Sequence, residues 1–237
     1  MHSPPVVSPP RRRFPHGALG AAGALALACL LLTVPVTVSW HPLTGLDGDV
    51  ARVTHRWALG HESVTDGMRF LSDRLWDPWT MRVLCAGVAV WLWGWVRDRW
   101  TALWLAVTCA VGGVLQQVLK AAVGRPRPVW AHPVDSARYA AFPSGHAMTA
   151  TVVCGALVWL VYRYGAPRAA RRTAGAATVV SVVGVGATRV WLGVHWLSDV
   201  VGGWLFGGLV VALAVLAHER WHPRATAAAG GPETRWM

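Results

Sequence analysis

Charge is scarce in this chain. Only 14% of its 237 residues are charged, while 54% are hydrophobic. That balance leaves too little polar surface to cover a water-soluble core of this size. Long uncharged stretches instead make it a polytopic membrane protein. Lysine is scarcer still: every basic residue except Lys120 is an arginine. A net charge of +11 can point to nucleic acid, but no basic domain stands apart from the apolar spans and there is no lysine-rich tail. No nucleic-acid partner is expected. Cys29, Cys85, Cys109 and Cys154 all lie inside apolar stretches, without CxxC spacing or a nearby metal-ligand partner. They read as small buried hydrophobes, not as disulfides or a metal site.

What is present is a succession of apolar spans. Residues 1–16 hold five prolines and the run Arg11-Arg12-Arg13, and read as a disordered cytoplasmic tail. Residues 17–39 carry no charge and are long enough to cross a bilayer; the apolar run is too long, and the motif near Ser39 too poor, for a cleaved signal peptide. Further spans read as 79–96, 100–121, 144–163, 173–191 and 198–217. The expected fold is therefore all-α, six transmembrane helices over 17–218, followed by a cytoplasmic tail at 219–237. Trp91, Trp93 and Trp95 read as an interfacial belt. Arg97, Arg99, Arg163, Arg168, Arg171 and Arg172 fall in short loops on one side, which places both termini in the cytoplasm. On the other side, Asp47, Asp49, Glu62, Asp66, Asp73 and Asp77 balance most basic residues outside the motifs below. The longest loop, 40–79, has Val64, Met68, Leu71 and Leu75 at helical spacing. This predicts an external amphipathic helical segment between spans 1 and 2, packed on the bundle or lying in the interface; a lid or substrate-shaping role is the alternative. No internal repeat is found.

Three motifs, spread over 120–199, fall on the same external face in this topology. The first runs from Lys120 through Arg127 to Pro128, the second is Pro143-Ser144-Gly145-His146, and the third runs from Arg189 through His195 to Asp199. Lys120, Arg127 and Arg189 bring three cations to one place, costly near hydrocarbon unless an anion is held there. Arginine offers a phosphate a two-pronged fork and lysine a point charge. Ser144 is a good N-cap for the fourth span; the free backbone N–H groups of that helix end attract anions, and Gly145 allows close approach. His195 and Asp199 are four apart, so they share a face if the sixth helix has already begun there. The carboxylate then fixes the imidazole tautomer and leaves the other nitrogen free to attack, with His146 as a second proton-transfer group. By contrast, His41, His55, His61, His132, His218 and His222 read as interfacial polar residues. Arg52, Arg56, Arg69, Arg74 and Arg82 read as snorkelling anchors. Arg125 and Arg138 fit either reading.

These residues resemble a known signature. Lys-x6-Arg-Pro, Pro-Ser-Gly-His and Ser-Arg-x5-His-x3-Asp mark the type 2 phosphatidic acid phosphatase superfamily, which includes bacterial lipid phosphatases, undecaprenyl-pyrophosphate phosphatases and vanadium haloperoxidases. The chain departs at one position, where Thr188 stands for the usual serine and keeps the hydroxyl. The resemblance implies that His195 is the nucleophile forming a phosphohistidine, that Asp199 orients it, and that His146 protonates the leaving oxygen. It also implies that Lys120, Arg127, Ser144, Gly145 and Arg189 cradle the phosphate, and that neither metal nor cofactor takes part. The expected activity is hydrolysis of a lipid phosphate or polyprenyl diphosphate, drawn from the bilayer, on the outer face of the cytoplasmic membrane. Transfer of the phosphoryl group to an alcohol and vanadate-dependent peroxidase chemistry are enzymatic alternatives sharing the site. A non-catalytic lipid-phosphate transporter or binding protein is the alternative from another class.

Overall fold

A computed structural model describes residues 16–221. Of the expected tails, 1–16 and 219–237, residues 1–15 and 222–237 lie outside the described residues; His16 already opens a helix and helix continues through 219–221. Eight α-helices form and, among the described residues, no strand: α1 His16–Thr37, α2 His41–Gly60, α3 Glu62–Phe70, α4 Pro78–Trp91, α5 Arg99–Val123, α6 Gly145–Arg163, α7 Arg168–Trp191 and α8 Leu197–Trp221. Among the described residues, six stretches are long and apolar enough to cross a membrane: Ala18–Thr37, Glu62–Val96, Arg99–Val123, Gly145–Arg163, Arg168–Trp191 and Leu197–Trp221.

The second of these begins well before the expected position 79. Helix α3 runs through a wide π turn at Leu71–Leu75 and meets α4 at a bend. Asp77 makes that bend a helix start: its carboxylate accepts from the N–H groups of Trp79 (2.8 Å) and Thr80 (3.1 Å), and Pro78 fills the first position. The stripe expected to pack on the bundle or lie in the interface divides: Met68 and Leu71 are half-buried, Leu71 against the core, while Val64 and Leu75 face outward. Val64 and Leu75 are 44% and 53% exposed, whereas Thr65 and Ser72 are buried. In a bilayer the apolar face of a helix meets lipid, and its few polar groups are satisfied inside the bundle. The outward Trp95 (84% exposed) and its neighbours Trp91 and Trp93 obey the same rule.

Helix α6 is the centre of the bundle, in contact with α4, α5, α7 and α8, while α1 packs along α8. Glycines bring α6 and α8 together. A Cβ on Gly203 would stand 2.8 Å from the Ser144 carbonyl oxygen, and one on Gly207 would stand 2.7 Å from Thr151 Cβ. The apolar core joins α4, α5 and α6 through residues such as Met81, Leu105 and Val153. Cys85 and Cys109 meet there as free thiols, Sγ to Sγ 2.8 Å.

Helix α2 also forms inside the expected loop, and one face of it, Asp47, Ala51, His55 and Ala58, is buried. Two histidines expected at the interface are therefore interior. His55 stacks on Trp130 with ring centroids 4.0 Å apart, and burial pushes its pKa below the usual value. His218 stands between the Trp104 and Trp159 rings, its Nε2 3.1 Å from Thr101 Oγ1. Both rings pack as core, and Nε2 of His218 keeps a polar partner.

Candidate active site

Four helix ends and one loop build a single cavity of about 360 Å³. Lys120 comes from the last turn of α5, Gly145 and His146 from the start of α6, Arg189 from the end of α7, and Arg127 and His195 from the segments outside the helices. Gly124, at φ 60°, stops α5 and releases the loop. The loop is then stitched down. The Arg127 guanidinium donates to the carbonyls of Val194 (2.6 Å), Tyr139 (2.9 Å) and Arg138 (3.0 Å). Lys120 Nζ donates to the Ala140 carbonyl, and Ser144 N–H to the Asp199 carbonyl at 2.9 Å. Arg69, expected to be a simple anchor, donates to the Val134 carbonyl at 2.7 Å as well as to Asp66.

All eight residues singled out in the sequence meet here, six lining the cavity and Ser144 and Asp199 buried behind it. Two of the local arguments change. Ser144 holds the N-cap position of α6, yet its hydroxyl makes no capping bond and, among the described residues, has no partner. His195 precedes α8, which starts only at Leu197, so helical spacing does not pair it with Asp199. A turn through Gly193 (φ 66°) does so instead, leaving Nδ1 3.4 Å from Asp199 Oδ2. Thr188 directs its hydroxyl back to the Val185 carbonyl, 2.8 Å away.

The contacts of His195 assign its tautomer. Arg127 Nη1 stands 3.1 Å from Nε2, and a guanidinium can only donate, so Nε2 carries the lone pair and Nδ1 the proton. Burial, then the cations Arg127, Arg189 and Lys120, hold the ring well below its usual pKa of 6.5, with the Ala141 carbonyl opposing. A neutral imidazole thus presents a nucleophilic nitrogen to the cavity. Burial and the neighbouring Arg189 push the Arg127 guanidinium down to about 10, so it stays charged at neutral pH. Arg189 is only 3% exposed; it donates to Ser72 Oγ at 2.7 Å and lies 3.7 Å from Asp73 and 3.8 Å from Asp135. Its buried Nε has no partner among the described residues. An anion with several oxygens is the kind of group such donors bond, and the α6 N-terminus offers it free N–H groups.

Several contributors were not identified from the sequence. Asp47, expected as one of several balancing loop acids, is 1% exposed and pairs with Arg125 at 2.7 Å. Arg125 also holds Asp199 Oδ1 at 2.6 Å and Ser198 Oγ at 2.7 Å. Asp73 and Asp135 face the cavity instead of solvent alone. Asp47 was findable: it lies on one helical stripe with Ala51, His55 and Ala58. Ser72 and Asp135 carry no such signal.

Similarity to known proteins points the same way. A family model described as the PAP2 superfamily matches residues 101–223, just over half of the chain. The chain is 31% identical over 130 residues to a lipid A 1-phosphatase of Rhizobium etli, covering 51% of this chain and 52% of that protein. It is 31% identical over 119 residues to phosphatidylglycerophosphatase B of Bacillus subtilis, covering 49% and 58%. An undecaprenyl-diphosphatase of Bacillus subtilis is 28% identical over 160 residues, covering 65% and 73%. The chain thus spans about half the length of the first two. A crystal structure of a transmembrane PAP2 type phosphatidylglycerolphosphate phosphatase from Bacillus subtilis superposes with a TM-score of 0.68 at 24% identity, over 85% of this chain and 97% of that one, a likeness of fold.

Proposed function

Because the chain belongs to the PAP2 superfamily, we propose that it is a metal-independent integral membrane phosphatase acting on a lipid phosphate or a polyprenyl diphosphate. The observation that carries this reading is the neutral His195, its Nε2 lone pair facing a cavity that also holds Lys120, Arg127 and Arg189.

In the first step Nε2 of His195 attacks phosphorus, and the bond from phosphorus to the bridging oxygen breaks. His146 gives its proton to that oxygen, and the lipid alcohol, or lipid phosphate from a diphosphate, leaves. The substrate's negative charge is what makes a proton on His146 compatible with the three nearby cations. In the second step water attacks the phosphohistidine, returns a proton to His146, and the P–N bond breaks to release inorganic phosphate. Lys120, Arg127 and Arg189, with the Ser144 hydroxyl and the α6 N-terminus, neutralise charge on the transferring group. Asp199 keeps the His195 proton on Nδ1 and offsets the positive charge that the ring gains.

What supports an external cavity, with both termini cytoplasmic, is that the arginine-rich loops at 97–99 and 163–172 lie at the other end of the same helices. We take 17–218, which carries the six spans, as the phosphatase domain, with its last helix running on to Trp221. Release of inorganic phosphate from a lipid phosphate by the purified protein in excess chelator tests the activity. His195→Ala is expected to reduce kcat on the order of 10⁴-fold. Full activity in that variant removes His195 as the nucleophile, and activity that requires added divalent ion removes the metal-free scheme.

A further inference from the structure

Asp47, Arg125 and Ser198 have no task in this scheme, yet all three are buried, at 1%, 9% and 3% exposure. Burying a guanidinium between carboxylates is costly unless every group is well bonded, and here each one is. Arg125 Nη1 donates to Asp199 Oδ1 (2.6 Å) and Ser198 Oγ (2.7 Å), while Nη2 donates to Asp47 Oδ2 (2.7 Å). Ser198 N–H donates to Asp47 Oδ1 at 2.9 Å, and its hydroxyl donates to Asp47 Oδ2. The Arg125 guanidinium also lies 5.7 Å from the centroid of the Trp196 ring.

The two oxygens of Asp199 are thereby given separate duties. Oδ1 is taken by Arg125, and Oδ2 accepts from Trp196 N–H at 2.9 Å and faces His195 Nδ1. None of Asp47, Arg125 or Ser198 lines the cavity. Whatever they do to the phosphate, they do through Asp199.

We infer that Asp47 and Arg125 are positioning residues: helix α2 reaches through Asp47 to Arg125, and Arg125 holds Asp199 behind the attacking histidine. This rests on the proposed role of His195. The three charges leave the cluster one unit negative, Asp47 and Asp199 against a single guanidinium. That charge opposes the positive charge the His195 ring gains when Nε2 bonds to phosphorus with Nδ1 still protonated. The other charged groups around Asp199, Arg127 and Lys120, belong to the phosphate side of the site.

The test compares kcat, KM and the inhibition constant of inorganic phosphate in detergent-purified variants assayed on one long-chain lipid phosphate. Asp47→Asn and Arg125→Gln should each lower kcat about ten- to hundredfold, the size typical of groups that orient a reacting side chain through another residue. KM and the phosphate constant should stay within about twofold. Arg125→Lys, which keeps the charge but loses the fork, should recover part of the loss. In an Asp199→Asn background, Asp47→Asn should cost little more, because its route to the reaction is already cut. A loss of the same factor in that background, or a raised KM and phosphate constant with kcat intact, overturns the inference. Should the charge variants fail to fold, Ser198→Ala removes one hydroxyl and should still lower kcat about fivefold; an unchanged kcat there overturns it too. The two readings fail separately. An active His195→Ala sinks the proposed mechanism, whereas an inactive His195→Ala beside fully active Asp47 and Arg125 variants sinks only the positioning role.

Discussion

The two ends of this helix bundle handle charge in opposite ways. At the end formed by 97–99 and 163–168, Asp98 caps α5 through Thr101 N–H at 3.0 Å and accepts from the Tyr164 hydroxyl at 2.9 Å. Its ion pair with Arg163 is loose, at 4.0 Å, with both side chains more than a fifth exposed. At the other end, Arg125, Asp47 and Asp199 are almost sealed from solvent and joined at 2.6–2.7 Å. A loose, wetted pair contributes about 0–1 kcal/mol; a sealed cluster carries a desolvation cost of several kcal/mol per ion that only close bonding offsets. Charge at the first end caps a helix and marks a side of the membrane. Charge at the second is retained where the proposed chemistry needs it.

The comparison breaks most sharply on sidedness. With Cys29, Cys85, Cys109 and Cys154 all placed in membrane spans, Ala131→Cys should react with an impermeant thiol reagent in intact cells, and Ala169→Cys only after lysis. The reverse pattern would put the proposed site in the cytoplasm. Matched substitutions probe the chemistry next. Arg189→Lys should lower kcat/KM by about 10²-fold, because a point charge cannot replace a buried fork on the transferring group. Arg163→Lys should stay within about twofold. Equal effects at the two ends would remove the distinction between them. The smallest effect is in the pH profile. His195 attacks when neutral, and burial beside cations lowers its pKa below 6.5, so the neutral form persists as pH falls through that value. The acid limb of kcat/KM set by His195 should therefore lie below pH 6.5. A limb at or above 6.5 that disappears in a His195 variant would contradict that environment.

Much of this was legible in the sequence because hydrophobic length is a one-dimensional property. The spans at 100–121, 144–163 and 198–217 fall within a few residues of their helices. The second span extends back beyond 79 because the charged stretch 62–77 is helical although its composition reads as loop, and α3 continues into α4 through a bend at the Asp77-Pro78 cap. The stripe of Val64, Met68, Leu71 and Leu75 divides between core and exterior, because periodicity identifies a face but not the solvent it meets. His55, His218 and Asp47 were misplaced for a related reason. A polar residue is expected at the surface unless its partners are known, and those partners, Trp130, Thr101 and Arg125, are 75, 117 and 78 positions away.

Run length in the sequence is enough to mark a six-span helical membrane protein, and its three motifs hold six of the residues that line the cavity. Those properties depend on run length and on motifs whose members sit near helix ends. Only the tertiary structure decided which nitrogen of His195 faces the cavity, that a turn and not helical spacing brings it to Asp199, and that α2 lies behind both. The first and third depend on groups joined across more than 60 residues, through Arg127, Arg125 and Asp47, whereas the turn through Gly193 is local. Hydrogen-bond geometry of that range is set by how the helices pack, and no local pattern encodes it.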